Sequence, residues 1–270
     1  MIYLSFGMLK SASTLTYQLT EEILRQAGRA PCILRPPLRP ALSVTNYFDN
    51  IDLPLIRRIQ KAAQGRDVVI KTHQLPAPEV LTLVERGEIL ASASFRDPRE
   101  IALSMVDHGE RSRRWAIPEF SECATVFDCC PSIDDQVAVL RTWCAIPRVE
   151  RIAYNDICFD MPSVIARVAR QMGVAVDVNA VAASFADTKI VGQFNKGVKD
   201  RFHEMTARES SHFLEHYAMF YKRFMPSPAP SLHTGVPAGP HAASGQLRQI
   251  VTDLRRLWRN RVGTAARPGA

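Results

Sequence analysis

Apolar and polar positions alternate in two rhythms along the first 175 residues. Short runs rich in β-formers, Ile2–Phe6, Val68–Thr72, Ile89–Phe95 and Val149–Tyr154, predict strands. Between them, apolar residues recur at helical spacing. Leu15, Leu19, Ile23 and Leu24 place a helix directly after the first strand, with Ser13 or Thr14 as its cap. Asp97 and Pro98 suit the capping and first positions of another. Later helices are predicted over Asp134–Trp143, Ser163–Met172 and Ser210–Arg223. Strand alternating with helix implies βαβ units, hence an α/β fold with a central parallel sheet flanked by helices on both faces.

The pattern changes after residue 225. Residues 226–245 hold five prolines and no Lys, Arg, Asp or Glu, which reads as a linker. Beyond it, over 246–270, Leu247, Ile250, Val251, Leu254 and Leu257 or Trp258 recur at helical spacing among arginines. Such a basic amphipathic helix would dock on the body (1–225), on a second copy of the chain in a homodimer, or on a membrane surface.

Charge then changes the picture. The formal net charge is +7, but six arginines against Asp253 put +5 of it after Met225 and leave +2 on the body. A body without a basic excess argues against general nucleic-acid binding. No apolar run reaches membrane-span length, and Met1–Leu9 lacks the marks of a signal peptide, so a cytoplasmic location is expected. Six cysteines in 270 residues are expected as free thiols. Cys123, Cys129 and Cys130 cluster without a zinc-type spacing.

Candidate chemistry lies at the strand ends. The loop GMLKSAST enters a helix N-terminus, where unpaired N–H groups, Lys10 and the hydroxyls of Ser11, Ser13 and Thr14 suit a phosphate or sulfate. It is not a Walker A sequence. In VVIKTHQLP, Lys71 and His73 would emerge on the same rim and the same side of the extended chain, a cation beside a base. In SFRDPREIALS, Arg96 stands at a strand end. Either it pairs with Asp97 or Glu100, or its planar fork of donors grips a phosphate.

Together these segments resemble the sulfotransferases that use 3′-phosphoadenosine-5′-phosphosulfate. Lys10–Leu15 is similar to their 5′-phosphosulfate loop, Lys71-Thr72-His73 to their K-T-H-L-P stretch, and Arg96 with Ser104 eight positions later to their 3′-phosphate motif. Tyr154-Asn155-Asp156 resembles their Y-E-D segment, and Asn195-Lys196-Gly197 their late R-K-G motif. The sequence departs from the family at Ala12 for glycine, Leu15 for the tryptophan against adenine, an inserted Gln74, and Asn195 for arginine.

The resemblance implies a three-layer fold related to nucleotide kinases and a sulfuryl transfer from that donor to a hydroxyl or amine. Lys10 would stabilise the leaving oxygen, Lys71 the moving sulfuryl group, and His73 would take the acceptor proton, with no metal. Lys10, Ser11, Ala12, Ser13, Thr14, Leu15, Arg96, Ser104, Tyr154, Asn195, Lys196 and Gly197 would hold the donor. The acceptor, a small molecule, glycan or lipid, would meet the stretch Asp107–Pro131, which carries His108, Arg111, Arg113, Arg114, Trp115, Phe120 and Phe127. Two other readings stand beside this one: a small-molecule kinase, which the missing Walker A loop opposes, and a nucleotide- or partner-binding domain without turnover.

Overall fold

A computed structural model of the chain describes residues 1–38, 45–186 and 200–225. The expected linker at 226–245, the expected helix at 246–270 and Asn195-Lys196-Gly197 lie outside the described residues.

Four strands, β1 (Ile2–Gly7), β2 (Val68–Thr72), β3 (Leu90–Phe95) and β4 (Glu150–Ala153), form an all-parallel sheet in the order β2-β1-β3-β4. Each strand run read from the sequence is present, trimmed by a residue at Ile89, Val149 and Tyr154 and extended by one at Gly7. Registers pair Phe6 with Thr72, Gly7 with Ser94 and Phe95 with Ala153, so the carboxyl ends of all four strands share one rim.

Among the described residues ten α-helices surround the sheet. Strand side chains alternate between two apolar clusters, as the pleat requires. Ile2, Leu4, Phe6, Val68, Ile70, Ala91 and Ala93 pack on one face with α2 (Leu53–Ala63), α3 (Pro78–Arg86), α4 (Pro98–Arg114), α5 (Cys130–Trp143), α9 (Ala207–His216) and α10 (Ala218–Phe224). Tyr3, Val69 and Ile152 pack on the other with α1 (Ser13–Gln26), the short α6 (Tyr154–Phe159), α7 (Met161–Met172) and α8 (Val178–Ala186). This is the three-layer arrangement that the alternating pattern predicts.

Two expectations are corrected. Neither Ser13 nor Thr14 caps α1: the N-cap is Ala12, in the left-handed region at φ 65°, and no side chain caps the helix. The loop reaches the helix through a strained turn that does not require a capping hydroxyl. The predicted helix Ser210–Arg223 is two helices that meet at Tyr217, whose hydroxyl donates to the Cys130 carbonyl at 3.3 Å. The stretch Asp107–Pro131 is partly helical: α4 runs on to Arg114 and α5 begins at Cys130, so His108, Arg111, Arg113 and Arg114 lie on a helix. Asp97 does cap α4, accepting from the Arg99 N–H.

Candidate active site

The order β2-β1-β3 makes the crevice between β1 and β3 a topological switch point, where the connections leave in opposite directions and ligands of open α/β sheets bind. The loop Met8–Ala12 occupies it. Gly7 is required there: a Cβ would stand 2.3 Å from Ser94 Oγ and 2.5 Å from Ser13 Cβ. The Met8 N–H donates to the Ser94 carbonyl, and Ser11 Oγ reaches the carbonyls of Met8 and Ser94. The fully buried Ser11 side chain thus ties the loop to β3. Lys10 and Ala12 both have positive φ, 61° and 65°, an unfavourable state for residues with a Cβ that turns the loop sharply into α1.

Lys10, Lys71 and His73 converge on this loop. Lys71, 7% exposed, leaves β2 on the α1 side, and its Nζ donates to Thr14 Oγ1 at 2.8 Å. His73 follows β2, and its Nδ1 lies 2.6 Å from the Gly7 carbonyl. A carbonyl only accepts, so Nδ1 carries the proton and the lone pair sits on Nε2. Burial, with Lys71 nearby, pushes the imidazole down to about 4. It is a neutral base over the physiological range. Gln136 on α5, buried, accepts from the Leu9 N–H and donates to the His73 carbonyl, holding the two loops in register.

The Lys10 ammonium meets His108 of α4, Nζ to Nδ1 2.5 Å, and stands 4.9 Å from the centre of the Phe120 ring. Burial lowers both lysines to about 8, Lys10 with help from Arg111 and Lys71. Among the described residues neither has a carboxylate within salt-bridge distance. Tyr47 flanks the other side, its ring 5.7 Å from His73 and 6.0 Å from Lys71 Nζ.

Arg96 leaves the end of β3 on the same rim. Its guanidinium lies 3.7 Å above the Tyr154 ring, Nε donates to Glu100 at 2.8 Å and Nη1 reaches the Lys10 carbonyl at 3.5 Å. Of the two pairings open from the sequence, Glu100 is the partner; Asp97 is taken by Arg99 and Tyr221. Glu100 also accepts the Arg201 N–H, and Arg201 bonds Asp107 and Glu204. A cleft of about 60 Å³ opens beside Arg96, Tyr154, Asn155 and Phe202. Ser104 is buried two helical turns along α4, and Leu15 lies in the apolar cluster under α7 and α8. Ser13 is buried in the first turn of α1.

Tyr47, Gln136 and Glu100 were not singled out for the site from the sequence. Tyr47 sits in an irregular segment joined to β2 by a single bridge to Lys71, and Gln136 is a polar residue on an otherwise amphipathic helix. Neither carries a local signal. Cys123, Cys129 and Cys130 are free thiols, and among the described residues no group of three or more His, Cys, Asp or Glu is placed to hold a metal. No helix among them is long and apolar enough to cross a membrane.

No family model and no curated protein matches the chain. Solved structures do. Mouse sulfotransferase SULT7A1 complexed with PAP superposes with a TM-score of 0.54 at 14% identity, over 82% of this chain and 84% of that one. Retinol dehydratase in complex with retinol and PAP gives 0.53 at 14% identity, over 82% and 81%. The same enzyme with androsterone and inactive cofactor PAP gives 0.50 at 14% identity, over 85% and 82%. Its all-parallel sheet with helices on both faces thus has the fold of these PAP-bound structures, a sulfotransferase among them.

Proposed function

We propose that the protein transfers a sulfuryl group from 3′-phosphoadenosine-5′-phosphosulfate to a hydroxyl or amine of a small, ring-bearing acceptor. The observation that carries this reading is the convergence of Lys10, Lys71 and neutral His73 on one loop at the switch point. Two ammonium groups that have no carboxylate partner among the described residues suit a polyanion, and the loop has a helix N-terminus behind it. At the donor's other end the reading is supported by Arg96, held over the Tyr154 ring beside a small cleft. The donor supplies the sulfuryl group and a phosphate leaving group. Asn195, Lys196 and Gly197, outside the described residues, would add to the donor contacts by the family resemblance.

His73 takes the proton of the acceptor hydroxyl at Nε2 as the acceptor oxygen bonds to sulfur. Lys10 stabilises the charge that grows on the bridging oxygen as its bond to sulfur breaks, and Lys71 steadies the sulfuryl oxygens. Positioning and electrostatics do the work, as in phosphoryl transfer. Tyr47 and Phe120 offer ring faces on either side of the bases. Retinol and androsterone, the molecules held by the retinol dehydratase structures, are of this ring-bearing class.

Calorimetric titration with 3′-phosphoadenosine-5′-phosphate (PAP) and with AMP tests the donor assignment. Binding that needs the 3′-phosphate and weakens about 10-fold to 100-fold in Arg96→Ala supports it, that being the worth of a hydrogen bond to a charged group. Equal or absent binding of the two nucleotides overturns it.

A further inference from the structure

Two assemblies face each other across the loop, each made of a lysine, a histidine and an aromatic ring: Lys71 with His73 and Tyr47, and Lys10 with His108 and Phe120. The reaction outlined above uses His73 and leaves His108 without a part. Yet His108 is built in as firmly. It stands on α4, its ring 5.0 Å from that of Phe120, and its Nδ1 is 2.5 Å from Lys10 Nζ.

The neighbouring Gly109 makes this possible. A Cβ there would stand 2.3 Å from the Phe120 carbonyl and 2.7 Å from that of Cys123, so only glycine lets the segment after α4 press against the helix. Phe120 itself is at φ 60°. Strain at Lys10 and at Phe120 thus brings a lysine, an imidazole and a ring to one point, the kind of cost that accumulates at functional sites.

An ammonium donates and cannot accept, so the short contact places the lone pair of His108 on Nδ1 and its proton on Nε2. That is the reverse of His73, whose Nδ1 proton is bound to the Gly7 carbonyl. The same ring type is used twice in opposite tautomers, one to leave a lone pair open and one to receive a proton donor. We propose that His108 is a positioning residue for Lys10: through Nδ1 it fixes the direction of the ammonium that stabilises the leaving oxygen. Its role in turnover rests on the sulfuryl-transfer reading, whereas its hold on Lys10 does not.

Several charges act on this pair. Arg111 on α4 and Lys71 from β2 oppose the Lys10 charge, and Asp107 on α4 favours it; Glu119, from the segment after α4, and Arg111 act on His108. None replaces an acceptor at 2.5 Å. Burial holds His108 down at about 4, so it remains an acceptor at neutral pH.

The test is an NMR titration of the donor-free protein with 13Cε-labelled lysine, Lys10 being assigned by its loss in Lys10→Arg. In His108→Phe, or in His108→Leu should the larger ring disturb folding, Lys10 should titrate about one pH unit lower than in wild type, because a bond to its charged form is gone. His108→Gln, which keeps an acceptor, should restore most of that shift. In turnover assays the Phe variant should lose about 10-fold to 100-fold in kcat at unchanged donor KM, with the alkaline limb moved to lower pH. Gln should recover it. An unmoved Lys10 titration in the Phe and Leu variants, or a Gln variant no better than Phe, overturns the proposal. Absence of PAP binding in wild type would sink the sulfuryl-transfer reading instead, and the titration would still decide whether His108 governs Lys10.

Discussion

The two cationic ends of the rim are built on opposite principles. At the β1 loop, Lys10 and Lys71 are held among neutral partners, a histidine and a threonine hydroxyl, and burial lowers both to about 8. At the end of β3 each arginine has an acid: Arg96 with Glu100, Arg99 with Asp97, Arg201 with Asp107 and Glu204. The first end carries charge at a cost to the fold. The second is neutralised and rigid, which suits fixed recognition of a ligand group rather than response to charge that changes during a reaction.

This contrast makes removal of a cation act differently at the two ends. Lys10→Met should reduce turnover by about 10²–10³-fold, the loss seen when one transition-state donor is removed. The same change, and Lys71→Met with it, should raise the thermal midpoint, since one takes out a half-buried and the other a buried ammonium, and the lowered pKa of each records a folding penalty. A Lys71→Met variant that melts earlier than wild type would break the comparison.

At the arginine end the sign reverses. Glu100→Gln leaves Arg96 buried beside a neutral amide and should destabilise the protein by roughly 3 kcal/mol, the scale for breaking a buried pair. The cation it exposes should be answered by a ligand phosphate. PAP should therefore raise the melting temperature of Glu100→Gln by more than it raises that of wild type; an equal rise would mean that Arg96 does not meet the nucleotide.

The difference should also be visible in protons. A polyanion near Lys10 and Lys71 favours their charged forms and lifts both from about 8 back toward 10.5. Binding of PAP at pH 8.5–9 should then take up protons, whereas below pH 7, with both lysines already charged, uptake should vanish. Arginines do not titrate in this range, so the β3 end contributes none. Calorimetry in buffers of different ionisation enthalpy reads the uptake directly. Proton release, or uptake independent of pH, would place the anion elsewhere.

Most of the frame was legible because it is local. Strand runs bounded by Gly7 and by the segment after Thr72, and the Asp97–Pro98 start of α4, announce themselves in a few consecutive residues. That Lys10, Lys71, His73 and Arg96 stand on one rim was legible because strand ends in a parallel sheet share it. The contacts that escaped depend on distant partners. His108 meets Lys10 across 98 positions, Gln136 joins Leu9 across 127, and the choice of Glu100 over Asp97 for Arg96 is made by Arg99 and Tyr221. The cap of α1 escaped for another reason. Ser13 and Thr14 have the right chemistry, but the left-handed turn at Ala12 moves the helix start before them.

That turn gives the smallest effect and a sharp one. Ala12 at φ 65° holds a conformation that costs a residue with a Cβ about 1–2 kcal/mol, and glycine adopts it freely. Glycine also gains freedom in the unfolded chain, which returns part of the benefit. Ala12→Gly should therefore stabilise the protein by about 0.5–1 kcal/mol in urea unfolding, with no change in the dependence on denaturant. Because Thr16 N–H bonds the carbonyl of residue 12 and not its side chain, the start of α1 should survive. The informative measurement is the pair of stability and PAP affinity. If the loop is strained to aim its N–H groups at an anion, the relaxed loop of Ala12→Gly should be more stable and bind PAP no more tightly. A variant that gains affinity along with stability would show that Ala12 serves neither end, and that the lysine loop is shaped by Ser11 and Gly7 alone.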